Sequence, residues 1–167
     1  MNIAYLLIGG NLGDREDHLS RARALLEASC GTIRQASAIY ETAAWGNTEQ
    51  PDFLNQVLMI ATMLSPDELM DGLLAAEQEI GRHRGEKYGP RSIDIDILLF
   101  DDIVLDKKHL QIPHPRLAAR RFALIPLCEL APQVRHPVLG DSIQELLLAC
   151  EDPLPVKKYS TGVDKKR

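Results

Sequence analysis

With 167 residues, 45% of them hydrophobic, the chain is long enough to bury one core without disulfide or metal support, and a single domain is expected. A formal net charge of −5 argues against a general nucleic-acid binder, which needs a basic face to neutralise phosphates. Cys30, Cys128 and Cys150 are widely spread and read as small buried hydrophobes, and with no signal-like start or long apolar run a cytosolic protein outside membranes is expected.

Residues Asn2 to Ile8 are apolar and partly β-branched and run into Gly9-Gly10-Asn11-Leu12-Gly13, the pattern of a buried strand followed by a turn. From Asp14 to Ala28, Leu19, Ala22, Leu25 and Leu26 recur at helical spacing. Asp14, Glu16 and Asp17 fall in the first turn, where the helix dipole favours negative charge. Thr32 to Glu41 and Phe53 to Leu64 read as two strands, separated by an irregular stretch, Thr42 to Asp52.

Ser65-Pro66-Asp67-Glu68 starts a second helix, with Ser65 as cap, Pro66 at the first helical position and Glu68 completing a capping box. It should run to about Ile80, with Leu69, Met70, Leu73, Leu74 and Ile80 inward and Gly81 as its stop. Ile93 to Val104 reads as a strand interrupted by a turn at Asp101-Asp102. The resulting order is that of an α+β protein with a ferredoxin-like βαββαβ core, helices covering one face of a mainly antiparallel sheet. From His114 onward short helices and turns are expected, among them a peripheral helix near Ser142 to Cys150, followed by a frayed tail from about residue 160.

The stretch Tyr88-Gly89-Pro90-Arg91-Ser92-Ile93-Asp94-Ile95-Asp96-Ile97-Leu98-Leu99-Phe100 carries the most chemistry. On a strand, Asp94 and Asp96 point the same way, about 7 Å apart at Cα, with the isoleucines opposite. Two carboxylates sharing one space repel unless a cation lies between them, and oxygen-only ligands suit Mg²⁺ with substrate phosphates completing its shell. A half-solvated edge strand has the same alternation, so the pattern alone leaves both readings open. Arg82, Arg84, Lys87 and Arg91 precede the acids among flexible glycines, as in a loop that folds over polyphosphate, or equally as a solvated basic helix end. A second basic group follows in Pro113-His114-Pro115-Arg116 and Arg120-Arg121-Phe122, where His114 is held between two prolines. There is no G-x-x-x-x-G-K-[ST] loop, G-x-G-x-x-G turn, H-E-x-x-H pair or G-x-S-x-G elbow, which removes the P-loop, zincin and serine-hydrolase readings.

Four motifs in order resemble the 6-hydroxymethyl-7,8-dihydropterin pyrophosphokinase family over roughly residues 2 to 135. They are Ile8-Gly9-Gly10-Asn11-Leu12-Gly13-Asp14, Gln50-Pro51-Asp52-Phe53-Leu54-Asn55, Gly89-Pro90-Arg91-Ser92-Ile93-Asp94-Ile95-Asp96, and Ile112-Pro113-His114-Pro115-Arg116 with Arg120-Arg121-Phe122. The resemblance implies a ferredoxin-like monomer that moves the β,γ-diphosphate of ATP onto a pterin hydroxymethyl group and releases AMP. By position it implies Asp94 and Asp96 as ligands of two Mg²⁺ ions, and Arg82, Arg84, Arg91, His114 and Arg120 as ATP-phosphate contacts. Arg82 and Arg91 are also implied in catalysis. It places Phe53 and Phe122 on the two pterin faces, Asn55 and Thr42 at its hydrogen-bonding edge, and Ala43, Ala44 and Trp45 around the rest of the pocket.

The chain departs from the family pattern at Gly10, where the family has Ser, at Ala43-Ala44, where it has two prolines, and at Tyr88, often Trp. Glu77 falls at a family acidic position, which a helix-surface salt bridge explains as well, so it stays outside the expected site. Transfer of a single phosphoryl group would use the same acids and arginines but release ADP, whereas a metabolite-binding regulatory module would need no paired carboxylates.

Overall fold

The computed structural model describes residues 1–44, 49–81 and 92–160. In chain order these form β1 (Asn2–Gly10), α1 (Arg15–Ser29), β2 (Thr32–Ala36), β3 (Tyr40–Thr42), β4 (Phe53–Thr62), α2 (Pro66–Ile80) and β5 (Asp94–Phe100). Then come a short hairpin, β6 (Leu105–Lys107) and β7 (Leu110–Ile112), a 3-10 turn at Leu117–Ala119, α3 (Arg121–Leu130), α4 (Ile143–Ala149) and β8 (Val156–Lys158). The main sheet has the order β5-β1-β4-β3-β8, with β2 also on β4, and every pair in it is antiparallel. The β1-to-β5 portion is the expected ferredoxin-like core.

Local chemistry sets the helix ends as the sequence predicts. In α2 the Ser65 side chain accepts from the Glu68 N–H and the Glu68 carboxylate accepts from the Ser65 N–H, while Gly81 closes the helix at φ 101°, a left-handed conformation suited to glycine. Asp14 caps α1 by accepting from the Asp17 N–H. The inward face of α2 differs in part from expectation: Leu69, Leu73, Ala76, Glu77 and Ile80 are buried, whereas Met70 and Leu74 lie at its margin.

The expected Thr32 to Glu41 strand is two strands. Ser37 interrupts it, because its hydroxyl accepts the Val57 N–H that a strand carbonyl would otherwise take, at 2.9 Å, while its carbonyl receives the Gln56 side-chain amide at 2.7 Å. Pairing passes from Ala36 opposite Leu58 to Tyr40 opposite Asn55, so one extra residue is absorbed there. The Leu105–Ile112 hairpin and β8 carry no signal in the sequence pattern.

Both sheet faces are used. Ala4, Leu6, Ile8, Leu54, Leu58, Ile60, Ile95 and Ile97 pack under α1 and α2. The opposite face carries Leu7, Val57, Leu98 and Leu99 under α3 and α4, with Leu117, Leu124, Leu127, Ile143 and Leu146. Leu98 and Leu99 both reach this second core because β5 bulges: Tyr5 faces Leu99 but Leu6 faces Ile97, leaving Leu98 extra. α3 and α4 cover only one end of that face. The other end holds Asp94, Asp96, Gly9, Phe53, Asn55 and Thr42, which share a face by strand register. Among the described residues, no helix is long and apolar enough to cross a membrane.

Candidate active site

The site is built on three adjacent strands. Gly9 on β1 stands opposite Asn55 on β4 and opposite Asp94 on β5, so one row of the sheet reads Asp94, Gly9, Asn55. A Cβ on Gly9 would meet the Asn55 side-chain oxygen at 2.3 Å and the Leu54 carbonyl at 2.8 Å, so only glycine leaves room for the Asn55 amide. That amide is 4% exposed and donates to the Thr42 hydroxyl, itself 3% exposed, over a long 3.4 Å. Two buried, polar side chains thus converge beside half-buried Phe53, which is in register with Thr42. A polar ring edge meeting such groups is discriminated against rings that would leave them unpaired.

Asp94 and Asp96 lie on β5, which among the described residues is an edge strand of the sheet. Asp94 and Asp96 are half-buried and share the face opposite the α1–α2 core, which Ile95 and Ile97 enter. The outer edge of β5 is nonetheless fastened. The Glu77 carboxylate accepts the Ile95 N–H at 2.8 Å, and the Leu98 carbonyl accepts the His114 N–H at 3.0 Å. Glu77 is 5% exposed, so the helix-surface reading of this residue is corrected: it is a buried clamp on the strand segment between the two aspartates. Replacing Glu77 with Ala is expected to cost about 1–3 kcal/mol by leaving the Ile95 N–H buried without its acceptor. Glu77→Gln, whose amide oxygen still accepts, should cost less; urea unfolding of the two variants checks the order.

A pocket opens beside Asp96, lined also by Ile97, Lys108, Leu110, Gln111 and His114. The hairpin residues Lys108 to Gln111 are absent from the motif reading, because exposed turn residues of mixed type carry no spacing signal. His109, at the same hairpin tip, is anchored with Lys107 to Asp67 at the start of α2.

His114 is half-buried, and its Nδ1 accepts the Arg116 N–H at 3.2 Å. Burial first, then the charges of Arg120 and Arg116, push its pKa down to about 4. The ring is therefore neutral at neutral pH, with its proton on Nε2, so toward an anion it could act as a hydrogen-bond donor and not as a cation. Since the unfolded ring titrates near 6.5 and the folded one near 4, this group's contribution to stability is complete above pH 6.5 and is lost as pH falls from there toward 4. The melting temperature of His114→Gln is expected to fall less steeply than that of the wild type between neutral pH and about pH 4.5. Parallel slopes would show that the ring is not held neutral. His136, held low mainly by burial, is common to both proteins and cancels.

Arg120 precedes α3 with its guanidinium 5.5 Å from the Phe122 ring, and Phe122 packs against the second core next to the open face. Ala43 and Ala44 follow Thr42, with Ala44 buried. The structure thus brings Asp94, Asp96, Asn55, Phe53 and Thr42 onto one face, with His114 in the pocket beside Asp96. Arg82, Arg84, Arg91 and Trp45, like Lys87 and Tyr88, lie outside the described residues.

A family model described as 7,8-dihydro-6-hydroxymethylpterin-pyrophosphokinase (HPPK) matches residues 5–132. The 2-amino-4-hydroxy-6-hydroxymethyldihydropteridine pyrophosphokinase of Bacillus subtilis (strain 168) is 39% identical over 164 residues, covering 98% of this chain and 95% of that protein. The protein of the same name from Aquifex aeolicus (strain VF5) is 43% identical over 145 residues, covering 87% and 90%. Among solved structures, Plasmodium falciparum HPPK-DHPS wild type with SDX-DHP superposes with a TM-score of 0.70 at 20% identity. That match covers 89% of this chain and 43% of the other, so this chain spans less than half of it, and the likeness shows the fold.

Proposed function

The chain belongs to the 7,8-dihydro-6-hydroxymethylpterin-pyrophosphokinase family, whose reaction moves a diphosphate from ATP to hydroxymethyldihydropterin in folate biosynthesis, and from that premise we propose how its residues divide the work. The observation that carries the proposal is one sheet face on which two carboxylates and the buried Asn55–Thr42 pair stand on opposite sides of Gly9.

Asp94 and Asp96 are the ligands of two Mg²⁺ ions. The donor set fits that ion: two carboxylates stand on one face of β5, and Mg²⁺ characteristically takes one or two carboxylates and leaves the rest of its shell to phosphates and water. When bound, the ions supply charge neutralisation at the triphosphate. The protein's own part is placement. His114 Nε2–H and the Arg120 guanidinium donate to phosphate oxygens, joined by Arg82, Arg84 and Arg91 on the family pattern, with Arg82 and Arg91 also stabilising charge during transfer. The pocket beside Asp96 takes the nucleoside end of ATP.

Phe53 and Phe122 stack on the pterin, Asn55 and Thr42 bond its polar edge, and Ala43, Ala44 and Trp45 close the remainder. So held, the pterin hydroxyl oxygen forms a bond to the β-phosphorus as the bond from that phosphorus to the α–β bridging oxygen breaks. AMP leaves, and the hydroxyl proton passes to solvent. No covalent intermediate on the protein is involved, and catalysis rests on alignment and charge. The protein acts as a cytoplasmic monomer. The test is to incubate it with MgATP and 6-hydroxymethyl-7,8-dihydropterin, with and without EDTA, and to separate the nucleotides. AMP in step with pterin diphosphate, and only with free Mg²⁺, is expected; ADP would mean phosphoryl transfer, and binding without turnover a regulatory module.

A further inference from the structure

We infer that the C-terminal segment from Cys150 to Tyr159 sets the geometry of the pterin side of the site, with Asp152 and Arg121 as its positioning residues. The inference rests on the pterin roles of Phe122 and Thr42 given above.

The start of α3 has no cap of its own. Arg120 occupies the capping position without a side-chain hydrogen bond, so the first N–H groups of the helix need an acceptor from elsewhere. Asp152, 31 residues away, supplies one: its Oδ2 accepts the Arg121 N–H at 3.1 Å and its Oδ1 accepts the Leu154 N–H at 3.0 Å. Arg121 answers by donating its guanidinium to the carbonyls of Asp152 and Cys150. The contact is reciprocal, a carboxylate on backbone N–H groups and a guanidinium on backbone carbonyls, and Arg121 stands between Arg120, the capping residue, and Phe122, the two proposed site residues at the start of α3.

The same segment then reaches the other half of the pterin pocket. β8 pairs with β3, Val156 lies opposite Thr42, and the Tyr159 N–H donates to the Ile39 carbonyl at 2.8 Å. The Tyr159 ring sits 5.7 Å from the Arg15 guanidinium, which also holds the Glu41 carboxylate at 2.7 Å and the Asp52 carbonyl at 2.9 Å. Ten residues thus link the helix carrying Phe122 to the strand carrying Thr42. A segment present only to enlarge the core would bury apolar side chains. Here Glu151, Pro153, Pro155, Lys157 and Lys158 are exposed, Cys150 and Tyr159 are only partly buried against the two cores, and from 150 to 159 the one buried residue is the polar Asp152. Burial of a carboxylate with directed partners fixes orientation rather than adding hydrophobic stability, and site geometry tolerates little displacement.

Asp152→Ala and Arg121→Ala are expected to raise the KM for the pterin about tenfold, with the KM for ATP changed less than about threefold. Asp152→Asn, which keeps one acceptor for the Arg121 N–H, should recover most of the loss. Steady-state kinetics are run well below each variant's melting temperature, with Phe122→Ala alongside. If Phe122→Ala weakens pterin binding while Asp152→Ala and Arg121→Ala only lower the melting temperature, or raise both KM values equally, the inference is overturned and the segment is a structural tie. If Phe122→Ala leaves pterin binding unchanged, the pocket assignment itself is wrong. Should Asp152→Ala fail to fold, Arg121→Ala, which leaves the carboxylate on its backbone donors, carries the same comparison.

Discussion

Replacing Asp94 with Asn is expected to lower turnover by roughly a thousandfold or more while weakening pterin binding only modestly. The amide keeps the size of the side chain and the half-buried position on β5 but removes the charge that draws a divalent cation. Asn55 and Thr42, the proposed pterin contacts, lie on the far side of β1 from Asp94, with the Asn55 amide bonded to the Thr42 hydroxyl. Turnover and pterin affinity should therefore separate. Stopped-flow turnover and equilibrium titration of the pterin, both at saturating Mg²⁺, check the pair of outcomes. An Asp94→Asn enzyme with wild-type turnover would remove the metal assignment. Asp96→Asn should behave alike and additionally weaken ATP, because Asp96 lines the adjoining pocket.

The reverse pattern is expected of Gly9→Ala. The added methyl would lie 2.3 Å from the Asn55 side-chain oxygen and 2.8 Å from a backbone carbonyl, closer than atoms pack, so the Asn55 amide must turn or β1 must shift against β4. Overpacking of this kind costs about 1–3 kcal/mol. Pterin affinity should fall at least about tenfold, because Asn55 can no longer hold its edge-bonding position against Thr42. Calorimetric titration of the pterin against Gly9→Ala, with a melting curve to confirm folding, gives the comparison. An unchanged dissociation constant would mean that the Asn55 amide does not read the pterin. In an Asn55→Ala background the side-chain clash disappears and the carbonyl clash remains, so part of the stability loss should persist there.

The parts of this molecule that could be read from the sequence are those set by near neighbours. Ser65, Pro66, Glu68 and Gly81 act within one turn of where they stand, and the helix they predict is the helix observed. The alternation Asp94-Ile95-Asp96-Ile97 likewise contains its own geometry, since a strand has a period of two. What escaped depends on distant partners. Glu77 reads as a surface acid because nothing within its helix shows that the Ile95 N–H lies above it. Asp152 looks like a loop residue until α3 is found to lack its own cap. Ser37 carries no mark that its hydroxyl will stand in for a strand carbonyl. Phe53, Asn55 and Thr42 are marked in the sequence only by motif resemblance, and β3 and β4 place them side by side.

The row Asp94, Gly9, Asn55 has a consequence for substrate length. Adjacent strands lie about 4.8 Å apart, so two spacings put about 10 Å of rigid sheet between β5, with the proposed metal ligands, and β4, with the proposed ring contact. No loop closure or side-chain rotation alters that interval, because β1 is hydrogen-bonded on both sides. The sheet then acts as a ruler with a stop at each end. On the proposed roles, a ring seated against Asn55 would deliver its hydroxyl to the phosphate only if the arm between them has the right reach, and a homologue one methylene longer would carry its oxygen past the mark.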